Sequence, residues 1–252
     1  MNRFFINDMR DHYHPGDVFQ LNEYDAIHAA KVIRVKPGDS IVWMNGRGWY
    51  GEGTVQESAH KVVRGIIKSA EFRKAQFPSL HLVQAVLKNK SMEAAIQMCT
   101  QAGVGAICPV ITRHCEYKKP NEMTEMSRKR DKWEKVAIEA CKQSGNPWTP
   151  SIQNPMTLSE FLDNQNLKAL KAQNYVASLH ANGRSKLPKK LESESPIFLW
   201  IGPEGDFTTE EYSQLEKIDS KLVCIGENVF RSEVAALVMT THFKNIMRED
   251  IA

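Results

Sequence analysis

From Leu80 onward, short apolar runs rich in β-branched and aromatic residues alternate with amphipathic stretches of helical spacing. That alternation constrains the chain most, because buried strands separated by helices pack as an α/β domain around a mostly parallel sheet. The runs are 80–87, 104–112, 175–179, 197–201 and 221–225. The helical stretches are 91–102, 127–144, one opened by Thr157-Leu158-Ser159-Glu160, one opened by Thr208-Thr209-Glu210-Glu211, and 232–247. Both Thr-x-x-Glu tetrads are capping boxes, and Gly103 stands where a helix C-cap belongs. The first seventy residues read differently. Candidate strands 18–21, 28–35, 40–44, 49–55 and 62–67 recur about every ten residues, with Asn45-Gly46 as a hairpin signal, which predicts a small β-barrel. The boundary is expected near residues 72–78, and no internal repeat is present.

Composition excludes several classes. Over 252 residues, 42% are hydrophobic and 25% charged, which argues against a disordered chain. Thirty-three Lys and Arg against 30 Asp and Glu leave +3, too little to demand a polyanionic partner on charge alone. No run of about 18 apolar residues exists and the opening residues lack a signal-peptide core, so a cytoplasmic protein with no membrane partner is expected. Five cysteines without a CxxC pair (Cys99, Cys108, Cys115, Cys141, Cys224) read as reduced, mostly buried thiols. His12-Tyr13-His14 and Arg113-His114-Cys115 lack a second ligand cluster, so no metal is expected. Gly46-Arg47-Gly48-Trp49-Tyr50-Gly51 matches G-x-G-x-x-G, but strand-like residues follow it where a dinucleotide site needs a helix N-terminus.

The chemistry is expected where strands end in the second domain. One strand runs into Gly202-Pro203-Glu204-Gly205-Asp206-Phe207, another into Gly226-Glu227-Asn228-Val229-Phe230-Arg231-Ser232-Glu233, and a third into His180-Ala181-Asn182-Gly183. Ligands of open α/β sheets collect outside the carboxyl ends of strands, and glycine there admits close backbone approach. Ordinary βα turns account for each loop taken singly; together they bring Glu204 and Arg231 to one sheet edge. At this level an RNA-binding module without catalysis and a nucleotide-cofactor oxidoreductase remain as alternatives, the second weakened by the missing helix-initiating fingerprint.

Lys88-x-Lys90-x-Met92-Glu93, Gly103-Val104, Ile107-Cys108-Pro109, Arg113, Trp133-x-x-Val136-Ala137-x-Glu139-Ala140, Gln143-Ser144, Ile201-Gly202-Pro203-Glu204-Gly205 and Ile225-Gly226-x-x-Val229-Phe230-Arg231-x-Glu233-x-Ala235 occur in that order. With them the chain resembles the bacterial small-subunit ribosomal RNA uridine-N3 methyltransferases of the SPOUT superfamily. The resemblance covers essentially the whole length. It implies an N-terminal PUA-like β-barrel that binds RNA (1–72) and a C-terminal SPOUT α/β domain with a trefoil knot (73–252). It also implies a homodimer, ribosomal RNA or the small ribosomal subunit as partner, and S-adenosylmethionine as methyl donor with no metal. A related SPOUT enzyme with another RNA target stays open, since fold and donor site do not select the nucleotide. By position, Leu179, His180, Ile201, Gly202, Gly205, Ile225, Gly226, Asn228, Val229, Phe230 and Arg231 would enclose the donor. Arg231 would stabilise charge on the uracil and Glu204 or Glu233 accept its proton. Arg3, Lys31, Arg34, Arg47, Lys88 and Arg113, with Arg128-Lys129-Arg130 and Lys132, are the RNA-contact candidates, and Trp49, Tyr50 or Phe207 could pack against an unstacked base. The chain departs from the commoner family pattern at Gln101-Ala102, His114, Asn146, Asp206 and Val234.

Overall fold

The computed structural model describes residues 2–7, 10–77, 79–116, 123–178, 185–191 and 194–249. They divide into two compact units, Met1–Ala75 with Cys141–Thr149, and Gln76–Ala140 with Pro150–Ala252.

The first unit holds β1 (Arg3–Phe5), β2 (Val18–Gln20), α1 (Glu23–Ile27), β3 (Ser40–Met44), β4 (Trp49–Ala59), β5 (Val62–Ile67) and β6 (Glu71–Phe72). Its sheet runs β1-β3-β4-β5-β2, with β6 added on β4. β1 pairs parallel with β3 and the rest are antiparallel. Beyond the two ends of that path, Ile6 forms an antiparallel bridge with Leu21. The Asn45-Gly46 turn joins β3 to β4: Asn45 Oδ1 accepts the backbone N–H groups of Arg47 (2.8 Å) and Trp49 (3.1 Å). Gly46 and Gly48 lie at φ +73° and +96°, a region costly for any side chain. The apparent dinucleotide fingerprint is therefore a hairpin that runs straight into β4.

One expectation fails here. Residues 28–35 form no strand. Asn22 caps α1 by accepting the N–H of Asp25, and a π-helical turn, His28–Ile33, follows before Arg34 stops it at φ +60°. The buried positions Asp25, Ala26 and Ala29 have helical spacing, whereas Val32 and Ile33 of the apolar run face outward. Asp25 accepts the Phe5 N–H at 2.6 Å and pairs with Lys142 at 2.6 Å, while Arg3 donates to the carbonyls of Lys142 (3.0 Å) and Gln143 (3.1 Å).

The second unit carries β7 (Leu80–Ala85), α2 (Asn89–Ala102), β8 (Ala106–Ile111), most of α3 (Met123–Ser144), β9 (Ser151–Ile152), β10 (Met156–Thr157) and α4 (Leu158–Asn164). It continues with β11 (Gln173–Ala177), β12 (Ser185–Lys186), β13 (Ile197–Ile201), α5 (Thr209–Glu216), β14 (Lys221–Cys224) and α6 (Ser232–Glu249). Strand order is β10-β8-β7-β13-β11-β14-β12, with β9 on β8, and every described pairing is parallel. Thr157 and Thr208 form the expected capping boxes with Glu160 and Glu211. β13 shows why the sheet is buried on both faces: Ile197, Leu199 and Ile201 join a core with Met92, Trp133, Met239 and Phe243, while Phe198 and Trp200 join one with Phe161, Tyr212 and Leu215. Each such side chain contributes about 1.5–3 kcal/mol by leaving water. Among the described residues no helix is long and apolar enough to cross a membrane.

His81 of β7 stacks on Phe198 with ring centroids 4.5 Å apart, and its Nε2 lies 2.9 Å from Ser79 Oγ. Burial holds its pKa below the usual 6.5. The unfolded chain thus binds the proton more readily, so stability present above pH 6.5 is lost as the pH falls below it, by at most about 1.4 kcal/mol per pH unit for one group. Urea denaturation at pH 7 and pH 5 should show a smaller acid loss for His81→Phe than for the wild type.

Candidate functional site

Parallel register brings the carboxyl ends of β7, β8, β13, β11 and β14 to one edge of the sheet, and three of the loops leaving that edge meet. The Ile201–Asp206 segment, Ala177-Ser178 and Cys224–Ser232 line a cavity of about 350 Å³, with Ala235 of α6 behind them. Ile201, Gly202, Glu204, Ile225, Gly226, Asn228, Val229, Phe230 and Arg231 all lie on its wall. Gly205 lies beside it rather than on its wall, packed on His114, and Glu233 sits half-buried in the first turn of α6 away from the lining. Leu179 and His180 lie outside the described residues.

Local chemistry fixes each loop. At Gly226 an added Cβ would sit 2.8 Å from the Phe230 ring, so only glycine lets that ring fold back over the strand end. Asp206 adopts φ +60°, a left-handed conformation that aspartate tolerates better than most residues. Its Oδ1 accepts the Phe207 N–H (2.8 Å) and the Tyr212 hydroxyl (2.9 Å), and that hydroxyl is 3.1 Å from Ser178 Oγ. One carboxylate thereby ties the β13 loop to α5 and to the end of β11. His114 Nδ1 reaches the carbonyls of both Gly205 and Asp206 at 2.9 Å. Behind the cavity, Ser232 donates to the Gly202 carbonyl at 2.5 Å and accepts from Gln84 Nε2 at 2.9 Å.

The cavity lining carries three carboxylates, Glu204, Asp206 and Glu227, and one cation, Arg231. Arg231 is exposed, and its guanidinium makes no ion pair or hydrogen bond with the described residues. Lys88 pairs with Glu116 at 2.9 Å, and hydrogen bonding to Glu116, with a weaker contribution from the charge of Glu204, raises its pKa. Arg113 is exposed at the end of β8, its N–H bound to Glu211 Oε1 at 2.8 Å. In the first unit Arg3, Lys31, Arg34 and Arg47 are exposed, Arg3 being engaged with the end of α3. Trp49 and Tyr50 are half-buried, and Phe207 is a core residue at 3% exposure. Among the described residues no group of three His, Cys, Asp or Glu is placed to hold a metal ion.

Sequence reasoning missed Gln84, Ser178, Asp206, Cys224 and Ser232 as site residues. Ser178, Asp206 and Cys224 stand at the same strand ends already singled out. Gln84 is a polar residue inside the apolar run of β7, and buried polar residues in core strands ask for a reason.

A parallel α/β unit with such a loop-built cavity is a small-ligand or nucleotide-handling class of protein. Residues 74–244 match the family model described as an RNA methyltransferase domain, and the chain belongs to that family. It is 27% identical over 238 residues to the ribosomal RNA small subunit methyltransferase E of Rickettsia conorii, covering 94% of this chain and 92% of the relative. Against the protein of the same description from Mesomycoplasma hyopneumoniae it is 26% identical, covering 96% and 98%. Its fold matches the ribosomal RNA small subunit methyltransferase E of Neisseria gonorrhoeae bound to S-adenosyl methionine, with TM-score 0.82, 22% identity and 98% of each chain covered. It also matches a putative methyltransferase of Legionella pneumophila in complex with its cofactor SAM, with TM-score 0.81, 24% identity and 98% and 97% covered.

Burial raises the thiol pKa of Cys99 and Cys108 to about 12 and of Cys141 to about 11, and pushes Cys115 up as well. The thiolate fractions of Cys99, Cys108 and Cys141 at pH 8 are negligible, and the thiolate is the reacting species. Half-buried Cys224 lines the cavity instead, its Sγ 3.1 Å from the Gly226 carbonyl. An aromatic disulfide reagent at pH 8 should therefore label Cys224 first, with Cys99, Cys108 and Cys141 reacting only as the protein unfolds; peptide mapping of early adducts checks the order.

Proposed function

We propose that this protein transfers a methyl group from S-adenosylmethionine to N3 of a uridine in small-subunit (16S) ribosomal RNA. The observation that carries the reading is the convergence of three strand-end loops on one cavity beside an unpaired guanidinium, among the described residues, in a chain of the RNA methyltransferase family. The descriptions of its relatives support the ribosomal target, and the bound molecules of the two solved structures support the donor.

The lining suits that donor. Apolar Ile201, Ile225, Val229, Phe230 and Ala235 offer walls for a purine, and the backbone at Gly202 and Gly226 with the carboxylates of Glu204 and Glu227 offers acceptors for ribose hydroxyls and positive charge. Bound there, the donor supplies an electrophilic methyl on a sulfonium. The protein supplies the rest. Uridine N3 carries a proton at neutral pH, so its loss leaves negative charge on the uracil oxygens. Arg231, permanently charged and with planar donors, binds those oxygens as that charge develops. Glu204, which lines the cavity, takes the proton in preference to Glu233, which does not. Holding N3 in line with the methyl contributes about 7–11 kcal/mol.

The remaining parts of the reading follow the family. Residues 1–72 act as a PUA-like RNA-binding barrel, a reading favoured by the Ile6–Leu21 bridge between the ends of the strand path. Residues 73–252 form a SPOUT domain with a trefoil knot, and two copies pair as a cytoplasmic homodimer. Val229, 73% exposed beside the cavity, is an apolar residue such pairing would cover.

Mass mapping of small-subunit RNA should find a methylated uridine in cells carrying the gene and its unmethylated form in cells without it; an unchanged map overturns the assignment. Arg231→Ala should lower kcat about 10²–10³-fold while calorimetry still detects donor binding, and wild-type turnover would remove Arg231 from the mechanism.

A further inference from the structure

Gln84 is fully buried in β7, next to Ile201 of β13 in register. Its Nε2 hydrogens are both committed, one to the Ala85 carbonyl at 3.1 Å and one to Ser232 Oγ at 2.9 Å. Because Ser232 Oγ accepts from Gln84, its single proton is left to donate, and it goes to the Gly202 carbonyl at 2.5 Å. Oε1 of Gln84 is buried without a hydrogen-bond partner among the described residues, so a polar side chain is kept here at a cost of about 1–3 kcal/mol. Core packing alone would favour an apolar residue at such a position.

The far ends of this relay explain what it does. Gly202 begins the loop that carries Glu204. Ser232 is the first residue of α6 and follows Arg231 directly, with Val234 and Ala235 N–H groups both bonded to the Arg231 carbonyl. A single hydroxyl therefore fixes the distance between the two cavity loops that bear the acid–base and cationic groups, and the amide of Gln84 fixes the direction of that hydroxyl.

We propose that Gln84 and Ser232 are positioning residues for methyl transfer, coupling the Gly202 loop to Arg231 through one directed hydrogen-bond relay. The proposal rests on the methyl-transfer reading above. Neither residue touches the reacting atoms in this role; each acts by holding Arg231 and Glu204 in register across the bound donor.

The test is a double-mutant cycle on the full-length chain, with steady-state transfer to small-subunit ribosomal RNA from cells lacking the gene, donor calorimetry and melting temperature. Ser232→Ala should lower kcat about tenfold to a hundredfold with a much smaller change in KM for the donor. Ser232→Thr, which keeps a hydroxyl, should recover most of that loss. Gln84→Leu, which keeps the volume and removes the donor, should lower kcat about two- to tenfold. The double variant Gln84→Leu with Ser232→Ala should be no slower than Ser232→Ala alone, because both break one relay. Additive losses, unchanged kcat in Ser232→Ala, or losses that follow melting temperature across all variants would overturn the relay while leaving wild-type transfer intact. A wild-type chain that neither binds the donor nor transfers methyl would overturn the relay and the parent reading together.

Discussion

The site depends on strand direction. A parallel pairing sets neighbouring carboxyl ends side by side, so loops separated by tens of residues leave the same edge. β13 enforces this. Its five residues are all buried, paired along their length with β7 on one side and with β11 on the other, and its side chains alternate between two cores. A one-residue slip would send Phe198 and Trp200 into the wrong layer, so register is held by the packing of both faces at once. The loops that leave this edge inherit a fixed starting point, and short contacts decide the rest of their course.

Those contacts divide the work between backbone and side chain. Gly226 yields space to Phe230, and Asp206 holds a left-handed turn that its own Oδ1 stabilises through the Phe207 N–H. Tyr212 then carries that carboxylate to Ser178, and Ser232 carries α6 to Gly202. Each loop is thus tied to at least one element other than the strand that launched it. The Arg231 side chain is the exception: it is exposed and makes no ion pair or hydrogen bond with the described residues, so on the proposed reading its donors are kept for a ligand. A guanidinium already locked to a carboxylate would have to give up that bond before meeting a developing anion.

Much of this was legible in the chain because it is local. The uninterrupted apolar run Ile197-Phe198-Leu199-Trp200-Ile201, the two Thr-x-x-Glu boxes and the Asn45-Gly46 turn each carry their structure within a few residues. So did the strand-end positions of Gly202, Glu204, Gly226 and Arg231. The segment 28–35 misled because apolar content was read as burial, whereas Asn22 and the acidic first turn of α1 had already set a helical course. What no local pattern announces is pairing at long range. Gln84 meets Ser232 across 148 positions, Asp25 meets Lys142 across 117, and the grouping of residues 141–149 with the first unit follows from tertiary contact alone. Glu204 and Glu233, equivalent on paper, separated only when the loops acquired a geometry.

A division of labour follows from where charge is absent. The whole chain carries only +3, and residues 1–75 hold 11 basic against 9 acidic residues, so attraction to phosphate alone is too weak and too diffuse to choose one nucleotide. On the proposed reading the donor cavity does not choose it either, since its lining addresses the sulfonium nucleoside and the uracil oxygens, features common to every uridine. On that reading selection rests on the shape of the RNA around the target, for which the exposed cations Lys31, Arg34 and Arg47 of the first unit are the proposed contacts, with chemistry reserved for a base already drawn from its stack. On the same reading, weak general attraction to RNA makes the fold in which the substrate arrives the feature that selects it.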